Sequence, residues 1–231
     1  MKNVAPLSDI DACVFDAYGT VFDVGSAVAR CRDALGNKAG PLLSVRRSKQ
    51  VAYAWFRSLM GDYVDFWHVT GNSLDAAMAH LGISGDTLRS RLMEIWLRLD
   101  AFPEVRDVLC GLKTAGLKTA ILSNGSTTML TAAVRSAGIH DLLHQVISVD
   151  AVRNFKPHPD AYQAGVDRLK VPAERILFLA SNAWDAAAAA KFGFRTVWVN
   201  RDGELPDNLP GKPEFQISSL RELPGLLGLK A

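Results

Sequence analysis

The chain has 231 residues, 48% of them hydrophobic and 22% charged, with a formal net charge of +2. That balance suits a globular protein of one large domain, or a core with an inserted unit. It holds no Lys/Arg-rich run that would mark a nucleic-acid face and no apolar run near the ~20 residues of a membrane span, so neither nucleic acid nor a membrane is an expected partner.

The first stretch, "MKNVAPLSDIDACVF", has no apolar core of signal-peptide length. Within it, "ACVFDA" (Ala12 to Ala17) is short, apolar and bounded by a glycine turn, which predicts a buried strand. From Val24 to about Asp100 no strand pattern follows. Val51, Trp55 and Leu59 fall on one helical face with Phe56 beside them, and Leu88, Leu92, Ile95, Trp96 and Leu99 repeat the pattern. "NSLDAAMAHLG" offers Asn72 or Ser73 as an N-cap and Gly82 as a stop. Pro103 marks the end of this helical block.

Beyond it, "KTAILSN" (Lys118 to Asn124), "HQVISV", "RILFLA" (Arg175 to Ala180) and "RTVWVN" (Arg195 to Asn200) read as strands, and "EFQIS" as a short sixth. Helical stretches stand between them, "GSTTMLTAAVRSAG" stopping at Gly138 and the Ala-rich "WDAAAAAKFG". Strands alternating with helices predict parallel βαβ units, hence an α/β fold with helices on both sheet faces. The expected domains are a core of residues 1–22 and 101–231 and a helical insert of residues 23–100.

In an open parallel sheet, ligands bind beyond the carboxyl ends of the strands. Here those ends carry Asp16, then Ser123 and Asn124, then Asp150, then Ser181 and Asn182. So many polar groups at strand tips predict a site. The three cysteines, Cys13, Cys31 and Cys110, are odd in number and far apart, and read as reduced thiols in a cytoplasmic protein. His140 and His144 stand one helical turn apart without a third ligand, which predicts a surface helix end and no metal site.

"DAYGT", "LSN", the lysine of "FKPHPDAY" and "SNAWD" occur in the order of the four motifs of the haloacid dehalogenase superfamily, which this chain resembles, most of all the L-2-haloacid dehalogenases. The resemblance spans nearly the whole chain. It implies a Rossmann-like core with a helical cap and cofactor-free hydrolysis of L-2-haloalkanoates to D-2-hydroxyacids. Water and a small 2-haloacid are then the reactants, halide is released, and a homodimer is implied.

The residue types suit that chemistry. Phosphatases of the superfamily generally use Asp-x-Asp and a Mg²⁺ ion, the second Asp protonating the leaving alcohol. Tyr18 stands in that second position, and Asn182 precedes a single acid, Asp185, where further metal ligands are usual. Halide leaves as a stable anion and needs no general acid, only donors that stabilise it. Asp16 is the expected nucleophile. Lys156 would hold it ionised, Asp185 would position Lys156 and help activate water, and Tyr162 would support the lysine. Asp185 has a competing structural reading as the N-cap of the following helix.

Thr20 would hydrogen-bond Asp16, or else serve only the turn. Ser123 and Asn124, before a helix, would present N–H groups to the substrate carboxylate. Arg47 is the candidate halide acceptor, with Arg46 as the rival for that place, and Asn182 a second donor. Phe66, Trp184, Val51 and Tyr18 are the expected apolar wall. The chain departs from the family at Ala180, usually serine, at Ser48 and Val51, often Gln and Leu, and at Arg46, often aromatic. Two rival readings stand beside the dehalogenase: a phosphatase for a small metabolite, which Tyr18 opposes, and a catalytically weak acid-binding relative, which Ala180 favours.

Overall fold

The structure, a computed structural model, describes residues 7–229, so both ends of the expected core, residues 1–6 and 230–231, lie outside the described residues. Six parallel strands form one sheet: β1 (Ala12–Phe15), β2 (Lys118–Ser123), β3 (Gln145–Ser148), β4 (Ile176–Ala180), β5 (Arg195–Val199) and β6 (Phe215–Ile217). Their order is β3-β2-β1-β4-β5-β6. The first strand is therefore central, paired with β2 on one side and β4 on the other. The chain reverses its direction of winding beside β1, and such a switch opens a crevice at the carboxyl end of the strands.

Period-two alternation divides each central strand between two cores. Cys13, Phe15, Ile121, Leu177 and Leu179 belong to one face, and Ala12, Val14, Leu122, Phe178 and Ala180 to the other. The first face is covered by α5 (Val105–Thr114) and α6 (Thr127–Ser136), the second by α7 (Pro159–Leu169) and α8 (Ala183–Phe192). Pro159 begins α7, where its missing N–H costs nothing, and the His158 side chain caps it by accepting from the Asp160 N–H. A short α9 (Leu223–Leu226) closes the described chain.

Among the described residues, the stretch between β1 and α5 holds helices and no strand: α1 (Val24–Leu35), α2 (Ala39–Met60), α3 (Phe66–His80) and α4 (Asp86–Glu94). One sequence expectation fails here, and one helical face leaves the core. The third helix starts not at Asn72 or Ser73 but at Phe66, capped by Asp65, whose carboxylate accepts from the His68 N–H. Ser73 instead lies buried inside the helix, its hydroxyl donating to the Thr70 carbonyl. The face of Val51, Trp55 and Leu59 does not stay buried, for Leu59 is 84% exposed. Steps of four residues drift by ~40° each around a helix of 3.6 residues per turn, so the stripe rotates out of the core. No helix of the described residues is long and apolar enough to cross a membrane.

Candidate active site

The carboxyl end of β1 runs straight into Asp16, whose N–H donates to the Leu179 carbonyl of β4. The chain then turns at Gly19, whose φ of +89° favours glycine, and a Cβ there would lie 2.8 Å from the Ser181 hydroxyl, which would have to shift. This turn leaves the Asp16 carboxylate at the switch point, only 7% exposed.

Lys156 comes to it from the loop before α7. It is 1% exposed, and its ammonium lies 3.2 Å from Asp16 Oδ1 and 2.9 Å from Asp185 Oδ2. Its backbone is pinned as well: the Lys156 N–H donates to Asn124 Oδ1 at 2.8 Å, and the Trp55 indole N–H donates to the Lys156 carbonyl. Burial by itself would lower the ammonium pKa, but Asp185 and Asp16 outweigh it and hold it above the ordinary lysine value.

Asp185 is not the N-cap of α8. That place belongs to Asn182, and Asp185 lies within the first turn, nearly fully buried. One oxygen takes Lys156 and the other accepts the Tyr162 hydroxyl at 2.7 Å. Burial pushes its pKa up to about 6 against the pull of Lys156, and the Asp16 charge adds to the rise. Tyr162 thus reaches the lysine only through Asp185.

The Asn182 side chain makes no helix-capping bond. Its amide bridges two elements instead, Oδ1 accepting from Arg47 Nη2 at 2.6 Å and Nδ2 donating to Asp16 Oδ2 at 3.4 Å. Arg47 on α2 therefore faces Asp16. Arg46 turns away and stacks on Trp96, its guanidinium carbon 3.7 Å from the ring centroid. Burial lowers the Arg47 pKa, and the nearby Asp16 and Asp185 charges oppose that.

A small cavity of ≈ 30 Å³ gathers most of the residues expected at the site. Asp16, Arg47, Ser123, Asn124, Lys156 and Asn182 supply its polar lining, and Tyr18, Val51, Ala54, Phe66 and Trp184 its apolar wall. The Ser123 hydroxyl accepts the Gly125 N–H, which tightens the turn between β2 and α6. Asp185, Tyr162, Thr20 and the strand-end residues Ser181 and Asp150 are not part of the cavity lining. Thr20 makes no bond to Asp16: its hydroxyl accepts the Ser181 N–H at 2.8 Å and donates to Ser181 Oγ at 3.2 Å, because the Gly19 turn carries it across to the tip of β4. Asp150 takes the Tyr63 hydroxyl at 2.6 Å and the Thr127 N–H at 2.7 Å, so it ties a helical segment to the sheet.

Sequence reasoning overlooked several of these contacts. Ser181 was only a strand-end residue, Trp55 only an apolar helix position, and Tyr63, Ser58 and Ala54 drew no attention. Ser58 Oγ accepts the Phe155 N–H, another seam bond beside the lysine loop. Ala180, where serine is usual, lies buried in the core of the second sheet face. His144 Nδ1 accepts the Thr119 N–H, and His140 pairs with Asp141 on an exposed 3₁₀ turn rather than an α-helix end. Among the described residues no three His, Cys, Asp or Glu side chains gather where a metal could be held.

Comparison with known proteins identifies the family of the chain. Residues 10–193 match the family of haloacid dehalogenase-like hydrolases. The chain is 43% identical over 222 residues to (S)-2-haloacid dehalogenase 1 of Pseudomonas sp. (strain CBS-3), covering 96% of this chain and 98% of that protein. It is 41% identical to (S)-2-haloacid dehalogenase 4A of Burkholderia cepacia, covering 96% of each. Among solved structures, the L-2-haloacid dehalogenase from Xanthobacter autotrophicus with chloropropionic acid covalently bound superimposes with a TM-score of 0.89 at 35% identity, over 96% of this chain and 100% of that one.

Proposed function

This chain belongs to the haloacid dehalogenase-like hydrolases, and from that premise we propose that it hydrolyses short L-2-haloalkanoic acids to D-2-hydroxyalkanoic acids through an ester on Asp16. The observation that carries the reading is the carboxylate of Asp16 at the switch point, held between Lys156 and Asn182 and facing a cavity that Arg47 also lines.

In the first step an Asp16 oxygen forms a bond to C2 as the carbon–halogen bond breaks, and halide departs with the bonding pair. Attack from the opposite face inverts C2. The leaving anion needs positive charge and no proton, and Arg47 supplies a weakly hydrated cation for it, with Asn182 beside it. N–H groups of the turn after β2, at Ser123 and Asn124, take the substrate carboxylate. Tyr18, Phe66, Val51 and Trp184 exclude water around the alkyl group. In the second step water attacks the Asp16 carbonyl carbon and the ester oxygen leaves on the product, so the stereocentre is untouched. Asp185 receives one proton from that water and passes it to the departing ester oxygen, which becomes the product hydroxyl; the second water proton leaves the new Asp16 carboxyl for solvent, and Lys156 keeps Asp16 anionic. Thr20 acts at one remove, by joining the Asp16 turn to Ser181.

Residues 23–100 then form the cap and, among the described residues, 7–22 with 101–229 the core, the cap supplying Arg47, Val51 and Phe66. A homodimer is part of the proposal, supported by Phe56, Leu59 and Met60, which stand 55%, 84% and 69% exposed at the end of α2. The free thiols of Cys13, Cys31 and Cys110 support a reducing, cytoplasmic setting.

The test is halide release from L- and D-2-chloropropionate in EDTA by wild type and Asp16→Asn. Release from the L form only, by wild type only, with D-lactate as product, is the expected result. Release that needs added metal, uses the D form alone, or survives intact in Asp16→Asn overturns the corresponding part of the mechanism.

A further inference from the structure

A second cavity, of ≈ 210 Å³, lies beside the first and shares Tyr18, Arg47, Phe66 and Asn182 with it. Its remaining lining includes Val24, Leu43, Trp96 and Met129, and the polar side chain that stands out is Arg46. Arg46 is only 2% exposed, and neither its Nε nor its Nη1 has a hydrogen-bond partner. The buried hydroxyl of Tyr18 also lacks one. Three of the five buried side-chain polar atoms without a partner among the described residues therefore belong to two residues lining this one cavity.

Charge makes the same point. In the reaction site, Lys156 and Arg47 are matched by Asp16 and Asp185. Arg46 is a further buried cation, and no salt bridge is found for it among the described residues. Burial, then the neighbouring Arg47, push its pKa down to about 9. A buried guanidinium with open donors is costly unless an anion meets it. The volume far exceeds a single ion, and the apolar side chains of Val24, Leu43, Phe66, Trp96 and Met129 line it beside the open donors. Those features fit a carbon chain that ends in a carboxylate.

We propose that this cavity is a subsite for a distal carboxylate, so that the enzyme takes 2-halodicarboxylic acids, with the reacting end at Asp16 and the far carboxylate on Arg46 and the Tyr18 hydroxyl. The inference rests on the haloacid reading and narrows its substrate class.

Two measurements test it. The first is kcat/KM for L-2-chloroglutarate and L-2-chloroadipate against the chain-matched monoacids L-2-chloropentanoate and L-2-chlorohexanoate, which lack the distal charge, in wild type, Arg46→Met and Arg46→Leu. A desolvated charge pair predicts that wild type favours one of the diacids by about tenfold or more, and that both variants lose that preference. A wild-type preference for the monoacids, or a ratio unmoved in the variants, overturns the subsite. The second is calorimetric binding of the unreactive glutarate and adipate against pentanoate and hexanoate to the same three proteins. Dicarboxylate binding that needs Arg46 supports the subsite even if no substrate is dehalogenated, in which case only the reaction assignment fails. Equal binding by all three proteins, or binding of bromide alone at Arg46, overturns the subsite whatever the turnover. Circular dichroism melts confirm that the variants are folded, and loss of fold in one leaves the other to decide.

Discussion

In the proposed reaction, Asp16 depends on groups that touch it and on groups one step further out. Asp185 is the clearest case, since burial holds its pKa near 6 while Tyr162 pulls it down through a hydrogen bond. If Asp185 receives the proton of the hydrolytic water, turnover should fall as pH drops through about 6. Removing the Tyr162 hydroxyl takes away a bond that favours the ionised form, so in Tyr162→Phe the acid limb of kcat should move up by about one pH unit. A pH–rate profile with the limb unmoved, or shifted down, would count against that role. Thr20 offers a stability test. Thr20→Val leaves the Ser181 N–H without its acceptor in a partly buried place, at a cost of about 1 kcal/mol. Urea denaturation should show a lower midpoint at constant m-value, and kcat should fall because the Asp16 turn loses its tether to β4.

At the scale of elements, α2 carries two tasks along one helix. Its middle faces the site with Arg47, Val51 and Ala54, while its last turns present Phe56, Leu59 and Met60 to solvent. Helical drift divides the tasks, because a stripe spaced by four residues leaves the face on which it began. If the exposed end is the dimer seam, Phe56→Glu with Leu59→Glu should convert a dimer to a monomer, read by light scattering on a sizing column. A wild-type monomer, or a dimer unaffected by both charges, would remove the seam. The β2–α6 turn shows a similar economy: Ser123 closes it, Ser126 caps α6 by accepting the Met129 N–H, and Asn124 is left to hold the Lys156 backbone.

Across the whole molecule, one apolar core runs through both the helical block and the sheet, joining Leu42, Phe66 and Leu74 to Phe15, Ile121 and Leu179. Polar ties cross the same seam at Tyr63–Asp150, Ser58–Phe155 and Trp55–Lys156. The two parts should therefore unfold together, giving a single calorimetric transition. Loosening the seam with Tyr63→Phe and Ser58→Ala should raise KM by about three- to tenfold and speed hydrogen exchange in the α2–α3 segment, while leaving one transition. Two separate transitions in wild type would show that the seam does not couple the parts.

The α/β architecture and the helical insert are legible in the sequence because both follow from local periodicity, and Asp16 because its strand-end pattern stands with three further motifs in the family's order, where the local pattern alone reads as a turn. Lys156 and Asp185 could be named from motifs, but not their 3.2 and 2.9 Å contacts or the rise in the Asp185 pKa, which need burial by distant chain. Only the fold shows that Arg47, not Arg46, meets Asn182, which lies 135 residues away, and only the fold carries Thr20 to Ser181 across 161. The reason is geometric. Side-chain type and spacing are written along the chain, whereas the direction in which a neighbouring pair of arginines points is decided by what the rest of the molecule packs around each of them.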